Sequence, residues 1–268
     1  MLHLCFFLTS IIATAAIYFS APALHLAFAL PTLIGIYLAI NLIYAIYLVI
    51  SALLFSKEPP KKPSRFALFS IRLALPWVSF LLRLPVRVEN KEMLPDEPHI
   101  YVCNHRSALD PVYLMTAFPR RTAAFASKAS VRKYPIVGGY MNAAGFVFID
   151  RDSPMQALRC IHRAASYVKQ GGLNYGIFPE GTRSRDGSLL PFKSGAFVLA
   201  KKSDTPIAVF TMTGSESALR HFPFHRPRIR ITVAGIIPVE EVRALSPDEL
   251  SARAREIMTA SLSQSKKA

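Results

Sequence analysis

The sequence predicts an α/β domain carried behind an apolar, helical N-terminal head. Three observations carry that prediction. The first 56 of 268 residues contain no Lys, Arg, Asp or Glu. Beyond them, short β-rich apolar runs alternate with helical patterns. Polar, turn-like segments follow several of those runs, where α/β proteins usually build their sites.

The head comes first in the chain. A bilayer crossing takes about 20 apolar residues. "LHLCFFLTSIIATAAIYF" (2–19) is one candidate span and "TLIGIYLAINLIYAIYLVISALLF" (32–55) a stronger one. Pro22 and Pro31 mark a turn region between them. Lys57, Lys61 and Lys62 follow at once, which places the rest of the chain in the cytoplasm under the positive-inside tendency. A cleaved leader with "SAPA" as its cleavage region is the competing reading. The start lacks the Lys or Arg of a leader, so a retained hairpin, spanning or entering the bilayer, is expected.

The body is strongly basic. All 32 Lys and Arg and all 17 Asp and Glu lie after residue 56, giving a net charge of +15 in a chain that is 51% hydrophobic. Its first stretch, "SRFALFSIRLALPWVSFLLRLPVRV" (64–88), spaces Arg65, Arg72, Arg83 and Arg87 among bulky apolar residues. That mixture predicts a helix in the headgroup region, which Pro76 is expected to interrupt. The organisation expected is therefore an anchor over 1–56, an interfacial segment over 57–85 and an α/β domain over 86–268. Basic residues are spread along the whole body and no nucleic-acid motif appears, so a nucleic-acid partner is not expected. Cys5, Cys103 and Cys160 show no paired or metal-type spacing, and no metal site is expected. Cys103 reads as a small core residue of a buried strand.

Strands are predicted at 99–103, 123–127, 145–149, 173–178, 206–210 and 228–235. Ser153-Pro154 opens a helix as N-cap and first helical residue, and Gly171-Gly172 closes it. Ser246-Pro247-Asp248-Glu249 opens the last helix in the same way.

Candidate chemistry begins with "CNHRSALDP" (103–111). His105 follows a strand, and Asp110 precedes Pro111. Either Asp110 caps a helix with Pro111 at its first position, or Ser107 caps and Asp110 closes a capping box. On a regular helix the pair would stand about 140° apart. A strand–turn–helix junction can instead bring the carboxylate to the imidazole. "GIFPEGTRSRDG" (176–187) follows another strand, with Gly181 suited to close backbone approach or positive φ and Arg183 to a two-point grip on phosphate. "GFVFIDR" (145–151) delivers Arg151 to a third strand end.

Together these segments resemble the 1-acyl-glycerol-3-phosphate acyltransferase family. "NHRSALD", "GFVFIDR", "FPEGTRS" and the proline-led "TPIAVF" are similar to its four blocks in order, and "PFKSGAF" (191–197) to the segment after the third. The likeness covers about residues 86–240. "SKAS" (127–130) departs from the pattern, with Ser130 where an acid often follows the lysine, which weakens any role for Lys128. The resemblance implies a mixed central sheet flanked by helices. It also implies acyl transfer from acyl-CoA or acyl-carrier protein to the 2-hydroxyl of a lysophosphatidate, without a cofactor. Other lysophospholipids or lyso-aminolipids are alternative acceptors. His105 would be the base and Asp110 its orienting carboxylate. Arg151, Glu180, Gly181, Thr182, Arg183 and Lys193 would bind substrate, with Asn104 and Thr182 positioning turns. Anionic membrane lipids are the further expected partners. No G-x-S-x-G nucleophile elbow is present. The rivals are a lipid hydrolase using the same histidine and a non-catalytic lipid-binding protein.

Overall fold

The computed structural model describes residues 2–20, 28–55, 57–81, 85–150, 152–184, 186–217 and 228–265, in two compact units that divide after residue 55.

The first unit is a pair of helices, α1 (Leu2–Ser20) and α2 (Ala29–Leu54). Edge-on aromatic contacts, Phe6 to Tyr44 at 5.5 Å and Phe7 to Tyr37 at 6.5 Å, join them. Few polar side chains occur, and several bond to carbonyls of their own helix. Ser10 donates to the Phe6 carbonyl, Thr14 to Ser10, Thr32 to Phe28 and Asn41 to Tyr37. No lipid-facing partner is then needed. At about 1.5 Å per residue, the 26 residues of α2 are long enough to cross a bilayer core of about 30 Å. Pro31 does not lie in the turn as expected. It occupies the first turn of α2, where a missing N–H costs the helix no internal bond.

The second unit opens with α3 (Arg65–Leu81), which runs unbroken through Pro76, contrary to the expected interruption. Ala67 and Ser70 are buried, while Phe66 and Phe69 are 48% and 58% exposed. Ser79 of this helix bonds Thr116 at 3.0 Å. The run read as helical through residue 88 ends in a strand, β1 (Val86–Glu89), which was not foreseen. Its valines alternate with Arg87 and Glu89, the period of a strand and not of a helix.

The sheet continues with β2 (Ile100–Cys103), β3 (Ala123–Lys128), β4 (Val147–Ile149), β5 (Asn174–Ile177), β6 (Ile207–Thr213) and β7 (Ile229–Ile237). The order is β1-β7-β6-β2-β5-β3-β4. All neighbours are parallel except β6 and β7. The sheet is therefore mixed, as the resemblance implied. Helices α4 (Asp110–Ala117), α5 (Pro135–Ala143), α6 (Pro154–Gly171), α7 (Val198–Ser203), α8 (Val239–Ala244) and α9 (Pro247–Ser265) complete the unit. The central strands are buried on both faces, and Tyr101, Phe125, Phe197 and Phe210 are among the largest wholly buried side chains.

Local signals set the helix ends. Ser153 Oγ accepts from the Gln156 N–H, and Gly172 turns left-handed at φ 60°. At α9 the Glu249 carboxylate accepts the Ser246 N–H at 2.7 Å, and Ser246 Oγ accepts the Glu249 N–H at 3.3 Å. That is a reciprocal capping box.

One glycine makes room beneath the site. A Cβ on Gly176 of β5 would stand 2.0 Å from the Phe125 ring. Gly176→Ala is expected to displace that ring and destabilise the fold by about 1–3 kcal/mol. A chemical denaturation midpoint unchanged from wild type would refute this.

Candidate functional site

β2 is the middle strand of seven, with β5 and β6 on either side and parallel to it. The segments after β2 and β5 are consequently neighbours at one edge of the sheet. Asn104 directly follows β2 and locks it to β6: its Oδ1 accepts from the Met212 N–H at 2.7 Å, and its Nδ2 donates to the Met212 carbonyl at 2.9 Å.

His105 follows, with Nδ1 2.8 Å from Asp110 Oδ2. The turn 106–109 makes this contact possible. Oδ2 also accepts the N–H groups of Arg106 at 2.7 Å and Ser107 at 2.8 Å. Asp110 is wholly buried and is the first residue of α4, not its cap. The second sequence reading comes nearer, because the carboxylate does reach back to the Ser107 N–H. Ser107 Oγ, however, accepts from Leu109 and not from Asp110, so the capping box is incomplete. Donation from Nδ1 to the carboxylate leaves Nε2 as the accepting atom of the ring.

The second loop braces the first. Glu180 was expected to touch substrate. It is instead 3% exposed, and both of its oxygens are occupied by backbone. Oε1 accepts the His105 N–H at 2.8 Å, and Oε2 accepts the Leu190 N–H at 3.1 Å. Burial raises its carboxyl pKa, against the lowering effect of those two N–H groups. Glu180 thus positions three segments, with a backbone N–H on each of its oxygens. The Ser184 N–H donates to the His105 carbonyl at 2.8 Å, a further tie between the loops.

Gly181 adopts φ 67°, the left-handed turn anticipated for it, and the Lys193 side chain lies over its α-carbon. Thr182, Arg183 and Lys193 are exposed. Arg183 makes no ion pair among the described residues and keeps its guanidinium available. Just beyond it, Asp186 is pushed down to about 2 by the Ser188 hydroxyl and N–H and the Ser184 hydroxyl, a compact polar turn. Arg151 lies outside the described residues.

Sequence reasoning missed Phe178. Its ring stacks on the His105 imidazole at 4.2 Å between centroids, and on Phe125 at 5.9 Å. The signal was present, since Phe178 ends the β5 run directly before Pro179-Glu180. Cys103 is buried as expected. Burial holds its thiol far above the ordinary range, with the Asp110 and Glu180 carboxylates adding to the shift. A thiol held protonated is no nucleophile.

The arrangement offers an oriented base, a loop of exposed cations and no activated protein nucleophile among the described residues. Residues 85–213 match the family model described as Acyltransferase. The 1-acyl-sn-glycerol-3-phosphate acyltransferase of Limnanthes douglasii is 35% identical over 162 residues, 60% of this chain and 57% of that protein. The human 1-acyl-sn-glycerol-3-phosphate acyltransferase alpha is 30% identical over 189 residues, 69% of this chain and 65% of that one. The chain thus spans between half and two thirds of the length of these two relatives. The crystal structure of the 1-acyl-sn-glycerophosphate acyltransferase PlsC from Thermotoga maritima shares the fold, with a TM-score of 0.61 at 23% identity over 84% of this chain and 90% of that one. Over residues 85–213 the chain is similar to the acyltransferase family, and the relatives that it resembles there are 1-acyl-sn-glycerol-3-phosphate acyltransferases.

Proposed function

We propose that this protein transfers a fatty acyl group from a thioester to the 2-hydroxyl of 1-acyl-glycerol-3-phosphate, giving phosphatidate. The observation that carries the reading is the 2.8 Å pair of His105 and buried Asp110 at the end of the central strand. Nε2 takes the hydroxyl proton as the oxygen attacks the thioester carbonyl. The tetrahedral intermediate collapses, the carbon–sulfur bond breaks, and the thiolate leaves with a proton from the imidazolium. Asp110 holds the ring in the required tautomer and stabilises its charged form, as other carboxylate–histidine pairs do. No acyl-enzyme is needed.

Arg183 is the proposed ligand of the acceptor phosphate, with Lys193 and Arg151 as further cations. The resemblance to enzymes named for this acceptor supports the choice. The helical pair is the proposed anchor, with the body on the cytoplasmic side. Arg65, Phe66, Phe69 and Arg72 form an exposed stripe on α3 suited to a lipid headgroup layer. An acceptor whose single acyl tail stays in the bilayer then meets the site without extraction.

The deciding assay supplies lysophosphatidate and an acyl thioester to purified protein in lipid. Phosphatidate is the expected product. Free fatty acid alone would identify a hydrolase, and no product from any lysolipid would remove the enzymatic reading.

Phosphate recognition has its own test. Arg183→Lys keeps charge but loses the planar fork, and Arg183→Ala loses both. The acceptor KM is expected to rise about tenfold or more for Lys and further for Ala, with kcat less affected. If the donor KM moves and the acceptor KM does not, Arg183 serves the donor.

A further inference from the structure

We propose that the turn leading from β3 into α5 is a second lipid contact, whose apolar tip enters the headgroup layer of an anionic bilayer. The proposal rests on the reading of the helical pair as an anchor, and not on acyl transfer. It concerns the stretch "VRKYPIV" (131–137). Arg132 to Val137 are exposed residues in a row, two cations followed by Tyr, Pro, Ile and Val. Tyr134 is 62%, Ile136 39% and Val137 53% exposed. Exposed apolar residues scattered singly need no explanation, whereas a contiguous run marks a contact surface.

The turn is held in shape, so the tip projects as a fixed feature. A short 3₁₀ turn (Ala129–Lys133) follows β3, Tyr134 is extended, and Pro135 opens α5 at a position that suits its fixed φ. The Gly138 N–H donates to the Tyr134 carbonyl at 2.8 Å. A Cβ on Gly138 would stand 2.3 Å from the Arg132 carbonyl oxygen, so only glycine lets the two backbones come this close. From there α5 turns inward, and Gly138, Tyr140, Asn142 and Ala143 are buried. The buried part of α5 begins only after the apolar tip.

Position and charge select a bilayer as the partner. Arg132 Nη2 donates to the Lys57 carbonyl, and Asn142 Nδ2 to the Glu58 carbonyl at 2.9 Å. Lys57 follows Leu54, the last residue of α2, by three positions, a reach of about 11 Å at most. The turn is therefore tied to the chain where it leaves the anchor. β3 is parallel to β5, and β5 to β2, so the turn leaves the sheet at the edge that carries His105 and Glu180. Residues 122–149 contain Lys128, Arg132 and Lys133 and no Asp or Glu. The chain beside them is alike: the Ser64 N–H, directly before α3, donates to the Ala143 carbonyl at 2.8 Å, and residues 59–88 also lack Asp and Glu. The contrast is α8 and α9, which carry Glu240, Glu241, Asp248, Glu249 and Glu256. Cations flanking a tyrosine and aliphatic side chains suit an anionic headgroup layer. An acidic protein would match the charge but not the place beside the anchor's exit. A single tether leaves the body free to turn over the surface, and a second contact fixes which edge meets lipid.

The test uses full-length protein with Cys5→Ser, because Cys103 and Cys160 are buried and Cys5 is exposed. One new cysteine is added, by Val137→Cys or, for reference, by Gln170→Cys. Gln170 is exposed near the end of α6, which leads into β5 and so lies at the opposite sheet edge. Each protein is labelled with a nitrobenzoxadiazole dye in nanodiscs of equal parts phosphatidylcholine and phosphatidylglycerol. A nitroxide carried on lipid is expected to quench the dye at 137 about threefold more than at 170, and aqueous iodide about threefold less. In phosphatidylcholine alone, lipid quenching at 137 is expected to fall about twofold. Activity gives a second readout. Ile136→Asn/Val137→Asn is expected to lower kcat/KM about tenfold for a long-chain lysophosphatidate held in the nanodisc, and less than twofold for a water-soluble short-chain one.

Equal quenching at 137 and 170 overturns the proposal. So does a dye at 137 that is shielded from iodide yet out of reach of the lipid nitroxide, which would place a protein or a second copy on the turn. Lipid quenching as strong in phosphatidylcholine alone would overturn the anionic preference, and equal losses with both acceptors would reduce Ile136 and Val137 to structural residues. Failure of the acyl-transfer reading looks different. Wild type would then yield no phosphatidate from either acceptor, and the quenching would still decide whether the turn meets lipid.

Discussion

His105→Ala is expected to lower phosphatidate formation by about 10²–10⁴-fold, the usual contribution of a positioned general base. The protein should remain membrane-bound, because the anchor lies in a separate unit of the chain. Some loss of stability is expected as well, since the imidazole stacks on Phe178. Melting curves on the same preparations keep the two effects apart. Asp110→Asn should be comparably severe for another reason. Its amide can donate to Nδ1, which would move the ring proton to Nε2 and leave no lone pair facing the hydroxyl. Near-normal turnover by folded His105→Ala protein would remove the mechanism altogether.

Glu180→Gln should lower kcat by about 10- to 100-fold while the acceptor KM stays close to wild type. The carboxylate accepts two N–H groups, from His105 and Leu190. An amide offers one acceptor, and its NH₂ faces the other donor. One buried N–H then lacks a partner, at a cost of about 1–3 kcal/mol in stability. The larger consequence is for geometry, because a displacement of about 1 Å in a catalytic group can cost 10²-fold in rate. A change carried by the acceptor KM instead would return Glu180 to the role of ligand.

The chemistry of the site was more legible than its construction. His105 with Asp110, Gly181 with its positive φ and the exposed Arg183 all follow from residue type and local spacing. The backbone partners of Glu180 were not legible because a carboxylate beside Gly-Thr-Arg gives no local sign of where its oxygens point. Phe178 was overlooked for a related reason, as its partners His105 and Phe125 lie on other segments. β1 was read as the end of a helix because only four residues carry its alternation.

What the sequence by itself determined is what neighbouring residues can encode. The uncharged head, the Ser153 and Ser246 caps, the strand periods and the carboxylate five residues beyond a histidine are of this kind. Each depends on contacts within a few residues, so composition and spacing suffice. Tertiary structure alone decided that β2 lies at the centre and that Glu180 reaches a backbone N–H 75 residues away. It also decided that Arg87 and Arg230 stand side by side. Strand order follows from how distant apolar faces bury one another, and no local pattern specifies which buried strand takes which neighbour.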